Sequence, residues 1–131
     1  MLQVAGIDHV VLRVRDAEAS LAFYSGVLGC PVEKRNDAIG LIHLRAGDSL
    51  IDLVPLDGKL GAAGGAGPGA EGRNVDHVCL RLKDYDPGAT MAHLDAHGVA
   101  YEAPVSRYGA GGEAASIYLK DPDGNGLELR G

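Results

Sequence analysis

The chain has no tryptophan, one phenylalanine and five tyrosines among 131 residues. It therefore cannot supply the row of aromatic faces on which single-stranded bases stack. Basic residues are outnumbered, 12 Lys and Arg against 18 Asp and Glu, for a formal charge of −6. That balance argues against nucleic acid and against an anionic membrane surface, both of which are held by clustered positive charge. Cysteine is limited to Cys30 and Cys79, too few for a disulfide framework, so they read as free thiols of a reducing compartment. No apolar run approaches the ~18 residues that a membrane span needs. Asp8, His9 and Arg13 interrupt the amino-terminal stretch that would have to serve as a signal core. The expectation is a soluble, cytoplasmic protein with no nucleic-acid or membrane partner.

What the chain does have is a repeat. Ile7-Asp8-His9-Val10-Val11-Leu12-Arg13-Val14-Arg15-Asp16 returns as Val75-Asp76-His77-Val78-Cys79-Leu80-Arg81-Leu82-Lys83-Asp84. Ile51-Asp52-Leu53 closes the first half and Leu127-Glu128-Leu129 the second. Residues 1–56 read as one module and 74–131 as another. Between them, 57–73 carry seven glycines and Pro68, a composition that reads as a flexible linker. A phosphate-cradling loop is disfavoured there, because no Gly-Lys-Ser/Thr ending and no following helix are present. Neither half, at about 65 residues, buries enough surface to be comfortably stable alone. The halves are expected to pack together or onto a partner chain, and a homodimer is the favoured arrangement.

Within the first module, alternation predicts strands over 7–14, 31–35, 39–45 and 49–54. Asp16 is placed to cap a helix whose apolar stripe is Leu21, Phe23, Tyr24 and Leu28, with Gly29 as its stop. In the second module, strands are predicted over 74–82, 99–102, 116–120 and 127–130. Asp86-Pro87 starts a helix that Gly98 ends. Residues 105–113 read as a glycine-rich loop or irregular strand that could act as a lid. The sum is a tandem βαβββ α+β fold.

Strand alternation sets His9, Val11 and Arg13 on one face, and His77, Cys79 and Arg81 on the matching face of the repeat. One strand histidine is usually structural. Two at equivalent positions, each coupled to a later carboxylate, point to a divalent metal: Ni, Zn, Mn, Co or Fe(II). Three rival sites carry less weight. His93 and His97 lie four apart on a helix whose buried stripe is Met91 and Leu94, so they read as solvated. Asp121, Asp123 and Asn125 imitate a calcium loop, but its closing glutamate would lie past the last residue, so a hairpin turn is the better reading. His43 and Tyr118 fall near equivalent positions of the repeat, where either could line a cavity.

These residues resemble the vicinal oxygen chelate superfamily, the group of glyoxalases, bleomycin-resistance proteins and extradiol dioxygenases. The resemblance is carried by Ile7 to Asp16, by Leu21-Ala22-Phe23-Tyr24 with Val27-Leu28-Gly29, and by Ser116 to Leu129 with its Asp-Pro-Asp-Gly-Asn-Gly-Leu-Glu-Leu ending. It spans essentially the whole chain as a single domain, 1–131. It implies two βαβββ modules whose sheets curl round a metal-holding cup, with His9, Asp52, His77 and Glu128 at the ligand positions. It further implies Arg13, Arg81 and Tyr118 at the substrate, and Glu128 as the catalytic proton carrier. Glyoxalase I enzymes usually have Glu or Gln where Asp52 stands; the shorter acid leaves a His9, His77, Glu128 triad as an alternative. Val54-Pro55-Leu56 stands where glyoxalase I has an asparagine for glutathione.

The resemblance implies a metal-dependent enzyme of glyoxalase I type, acting on a small molecule such as a 2-oxoaldehyde–thiol adduct. Its alternatives are an Fe(II) extradiol-type dioxygenase, a manganese-dependent thiol transferase of the fosfomycin-resistance type, and a non-enzymatic drug-binding protein of the bleomycin-resistance type.

Overall fold

A computed structural model describes residues 1–131. They divide into two compact units, Met1–Pro68 and Gly69–Gly131, so the boundary falls inside the glycine-rich segment. The first unit contains β1 (His9–Val14), α1 (Ala17–Leu21), β2 (Val32–Asn36), β3 (Leu41–Ala46) and β4 (Ser49–Pro55). The second contains β5 (His77–Arg81), α2 (Pro87–Ala96), β6 (Val105–Gly109), β7 (Gly112–Lys120) and β8 (Gly126–Arg130). The sheets run β1-β4-β3-β2 and β5-β8-β7-β6. Each unit is thus a βαβββ module, as the repeat predicts.

In both units the first strand pairs in parallel with the last, β1 with β4 and β5 with β8, and the remaining neighbours are antiparallel. A parallel neighbour cannot be reached by a tight turn. The helix after the first strand and the antiparallel strands that follow supply the crossover. Asp16 caps α1 as expected, its Oδ1 accepting from the backbone N–H groups of Glu18 and Ala19. The helix then widens into a π turn over Ala22–Val27. That turn still buries Phe23 and the fully enclosed Tyr24, whose rings meet edge to face at 5.1 Å. Gly29 leaves the helix at φ 75°, the left-handed conformation of a glycine stop. Leu12, Val14, Leu44, Ile51 and Leu53 complete this core. In the second unit the core is Leu94, Ile117, Leu119, Leu127 and Leu129. No helix is long and apolar enough to cross a membrane.

One sequence expectation needs correction, and one open alternative is decided. Residues 99–102 do not form a strand; only a single bridge joins Tyr101 to Leu119. Pro104, with no N–H to donate, breaks the ladder just after it. The strand of that module is instead β6, over residues for which the sequence left a loop or an irregular strand open. It pairs with β7 from Val105↔Ser116 to Gly109↔Gly112, so this stretch is a hairpin. Its glycines serve a tight turn, with Gly112 at φ 95°.

Part of the linker is also better held than its composition suggests. The Arg13 guanidinium donates to the carbonyls of Gly61 (2.9 and 3.0 Å), Gly65 (2.6 Å) and Ala66 (3.0 Å). Gly61 is required there, since a Cβ would lie 1.9 Å from the Pro55 carbonyl oxygen.

Candidate metal and substrate site

The alternation of β1 is realised as predicted: Leu12 and Val14 are buried, while His9, Val11 and Arg13 line a cavity of about 610 Å³ on the opposite face. β5 behaves alike, with His77, Cys79 and Arg81 all exposed. The carboxylates sit on the adjacent parallel strands. Asp52 pairs in register with Val11, and Glu128 with Cys79. Both acids are almost fully buried, which is costly for a charge unless it is hydrogen-bonded or paired.

In the second unit those partners are plain. The Ser116 hydroxyl donates to Glu128 Oε1 at 2.5 Å. His77 Nε2 lies 3.2 Å from Glu128 Oε2. Burial pushes the Glu128 carboxyl upward, but hydrogen bonds from Ser116 and Tyr118, the His77 ring and Cys79 outweigh it, and the net shift is below the ordinary value. Glu128 is therefore a carboxylate at neutral pH. Tyr118, opposite Glu128 across β7 and β8, sets its ring edge-on to His77 at 5.9 Å and lies beneath the Arg107 guanidinium. Burial and then the Glu128 charge push its phenol upward, so it stays a donor. Gly126 lets β8 pass this close to β5, because a Cβ there would meet the Asp76 carbonyl oxygen at 2.6 Å.

The aspartate before each histidine has a defined part. His77 Nδ1 is 2.7 Å from Asp76 Oδ1, and His9 Nδ1 is 2.6 Å from Asp8 Oδ1. An ionised carboxylate only accepts, so Nδ1 carries the proton in both rings. A carboxylate at Nδ1 is the usual support of an imidazole that ligates a metal through Nε2. The bond holds Asp76 below the ordinary carboxylate value, with Arg73 helping. The bond to Asp8, opposed by a smaller effect of burial, raises His9 above its ordinary value of 6.5.

In the first unit Asp52 is claimed differently. His43 and Asp52 are register partners on β3 and β4, and His43 Nδ1 lies 2.7 Å from Asp52 Oδ1. The candidate donors are thus distributed as His9 with Asp52 on one pair of strands and His77 with Glu128 on the other. No group of three or more His, Cys, Asp and Glu side chains spaced for a metal ion is present in the chain. Arg13 is engaged with the linker carbonyls, as described. Arg81 is exposed at the end of β5. His93 on α2 and His97 at its C-cap are exposed, with rings 4.3 Å apart. The 121–126 stretch is a self-contained turn in which Asp121 accepts from the backbone of Asp123 and Asn125 and from the Asn125 amide.

Sequence reasoning missed three groups here: Ser116, and the pair Asp8 and Asp76. The two aspartates stood inside the repeated motif, and their duplication was the available signal. Nothing in the sequence marked Ser116, whose role depends on the register of β7 against β8.

Tandem βαβββ modules with a histidine on the first strand and an acid on the last define the glyoxalase-like fold. The sequence model described as Glyoxalase/Bleomycin resistance protein/Dioxygenase superfamily matches residues 6–129, and the chain belongs to that family. It is 33% identical to the glyoxalase domain-containing protein RDO1 of Mycosarcoma maydis, over 98% of this chain and 69% of that protein. It is 32% identical to a catechol-2,3-dioxygenase of Bacillus subtilis, over 94% of this chain but 40% of that protein's length. Among solved structures, an integron cassette protein from the mobile metagenome of V. cholerae matches with a TM-score of 0.78 and 32% identity, covering 99% of this chain and 97% of that one.

Proposed function

We propose that the protein is a divalent-metal-dependent enzyme of glyoxalase I type, isomerising a 2-oxoaldehyde–thiol adduct. The observation that carries this reading is the His77–Glu128 pair. His77 Nδ1 donates to Asp76, and its Nε2 faces a Glu128 carboxylate oxygen 3.2 Å away. A metal cation in place of the proton between them would be held by both groups. Donors each ~2.1 Å from one metal stand about 3.0–3.4 Å apart, which this separation matches. Two imidazoles and a carboxylate suit Ni, Zn, Co, Mn or Fe(II). His77 and Glu128 are the donors of the second module, and His9 holds the matching position on the first strand of the first. Asp52 is the fourth candidate, though its Oδ1 is taken by His43.

The metal, when bound, supplies Lewis acidity toward two neighbouring substrate oxygens. The protein does the rest. Asp8 and Asp76 fix the histidine tautomers. Ser116 and Tyr118 keep Glu128 ionised in a buried setting, where it can take a proton from one carbon and return it to the next. Arg81, exposed beyond His77, is available to a substrate carboxylate. Calorimetric titration of metal-free protein with Ni, Zn, Co, Mn and Fe(II), followed by turnover of methylglyoxal with glutathione, tests this. Stoichiometric binding with isomerase activity, lost in Glu128→Gln, is the expected result. No turnover with any metal overturns it. The catechol dioxygenase relative supports a second reading, Fe(II)-dependent cleavage of a catechol, distinguished by oxygen uptake with a catechol as substrate.

A further inference from the structure

Arg13, expected at the substrate, has a second claim on its charge. It lines the cavity of about 610 Å³ in the first module, and it is the only arginine or lysine in that wall. The wall is otherwise mixed, with Asp8, His9 and Asp52 beside Val11, Leu41 and Leu60. Yet the guanidinium donates to the carbonyls of Gly61, Gly65 and Ala66, so a strap of backbone lies over it. Little else holds that strap. Gly61 and Pro68 are buried and pin its ends, while 62–66 are exposed. Gly64 and Gly65 stand at φ 96° and 79°, and glycine loses more conformational freedom on ordering than any other residue. The stretch buries almost nothing to offset that entropy, which leaves the offset to Arg13. Carbonyls are neutral acceptors. A carboxylate is a better partner for a guanidinium, because two ionised oxygens meet its fork in shorter and stronger bonds. The strap and a carboxylate in the cavity therefore compete for one group.

We infer that residues 62–66 form an autoinhibitory strap latched by Arg13, and that a carboxylate-bearing small molecule enters the cavity of the first module by taking the guanidinium from the strap. As regulation of the proposed site it rests on that reading, but the latch needs no metal and is tested without one. Gly65→Ala is the informative change. It strains the closed strap alone, since its φ is 79° and nothing lies within 4 Å of the added Cβ, and it leaves Arg13 intact.

The experiment follows benzoate binding to full-length protein without added metal by ¹⁵N NMR, with chloride holding the ionic strength constant. In the wild type, the backbone order parameters of 62–66 are expected to start near the rigid value of about 0.85 and to fall toward about 0.6 as benzoate saturates. The Arg13 Nε–H resonance should shift with the same midpoint. Gly65→Ala should bind benzoate about fivefold more tightly, the worth of one residue forced into a left-handed conformation. A strap with a purely structural role predicts no such gain. Arg13→Gln should loosen 62–66 before any ligand is added and abolish benzoate binding. Should Gly65→Ala not fold, the wild-type titration and Arg13→Gln carry the test. No benzoate binding, binding that leaves 62–66 ordered, equal or weaker binding by folded Gly65→Ala, or a strap that stays ordered in Arg13→Gln would overturn the inference. None of these outcomes depends on the metal titrations, so the two readings fail separately.

Discussion

Replacing Ser116 by alanine removes one hydroxyl and tests how a buried acid is kept charged. Ser116 is fully enclosed, and the Glu128 side chain it serves is 7% exposed. A hydrogen bond to a charged group is worth about 1.5–3 kcal/mol. At 1.36 kcal/mol per pH unit, its loss raises the Glu128 carboxyl by about one to two units. The sign follows from the folded state's preference. Glu128 is held below its ordinary value of 4.5, so it contributes stability above that pH, and the contribution is lost as pH falls through its folded value. Ser116→Ala should therefore unfold in urea with about 1.5–3 kcal/mol less stability at neutral pH. The gap should narrow as pH falls through the folded-state value of Glu128, below which both proteins hold it protonated. A gap below about 0.5 kcal/mol at neutral pH, or one that does not change with pH, would refute the claim that this hydroxyl keeps Glu128 ionised.

Three further outcomes are expected. Asp76→Asn, which weakens the support of His77 Nδ1, should lower metal affinity by about 10–100-fold in calorimetry. Asp8→Asn removes the main cause of the raised His9 value, so in an NMR titration of metal-free protein the His9 midpoint should move down toward 6.5. Gly61→Ala drives a Cβ against the Pro55 carbonyl and should cost about 1–3 kcal/mol, measured as a lowered Tm together with loss of amide protection over 60–66.

The repeat made the fold legible, because a duplicated period-2 pattern fixes both the number of modules and the face each histidine occupies. His9, His77 and the acids at 52 and 128 were placed by that pattern, and their neighbouring strands now account for it. Where the pattern failed, a local cause is visible. The alternation of 99–102 resembled a strand until Pro104 removed its ladder, and the glycines of 109–112 concealed a hairpin that register, not composition, defines. Partners that lie across strands were harder still. Asp52 with His43, and Glu128 with Ser116, are set by how β4 and β8 align with their antiparallel neighbours, and a single sequence does not state that alignment. The role of Arg13 was hidden for a similar reason, since backbone carbonyls of a glycine-rich segment leave no side-chain signature.

The parallel pairing of first and last strands has a consequence for how the protein comes to exist. The imidazole of each module is made early in synthesis and its carboxylate last, after the helix and the two intervening strands. Forming β5 against β8 closes the longest loop in its module, an entropic cost met only once the interior contacts are in place. Assembly of the His77–Glu128 pair is accordingly a late event. A chain that stalls with β5 unpaired holds only a lone imidazole, and pulse-labelling of amides should find β5 protected after β7 and β8 have already docked.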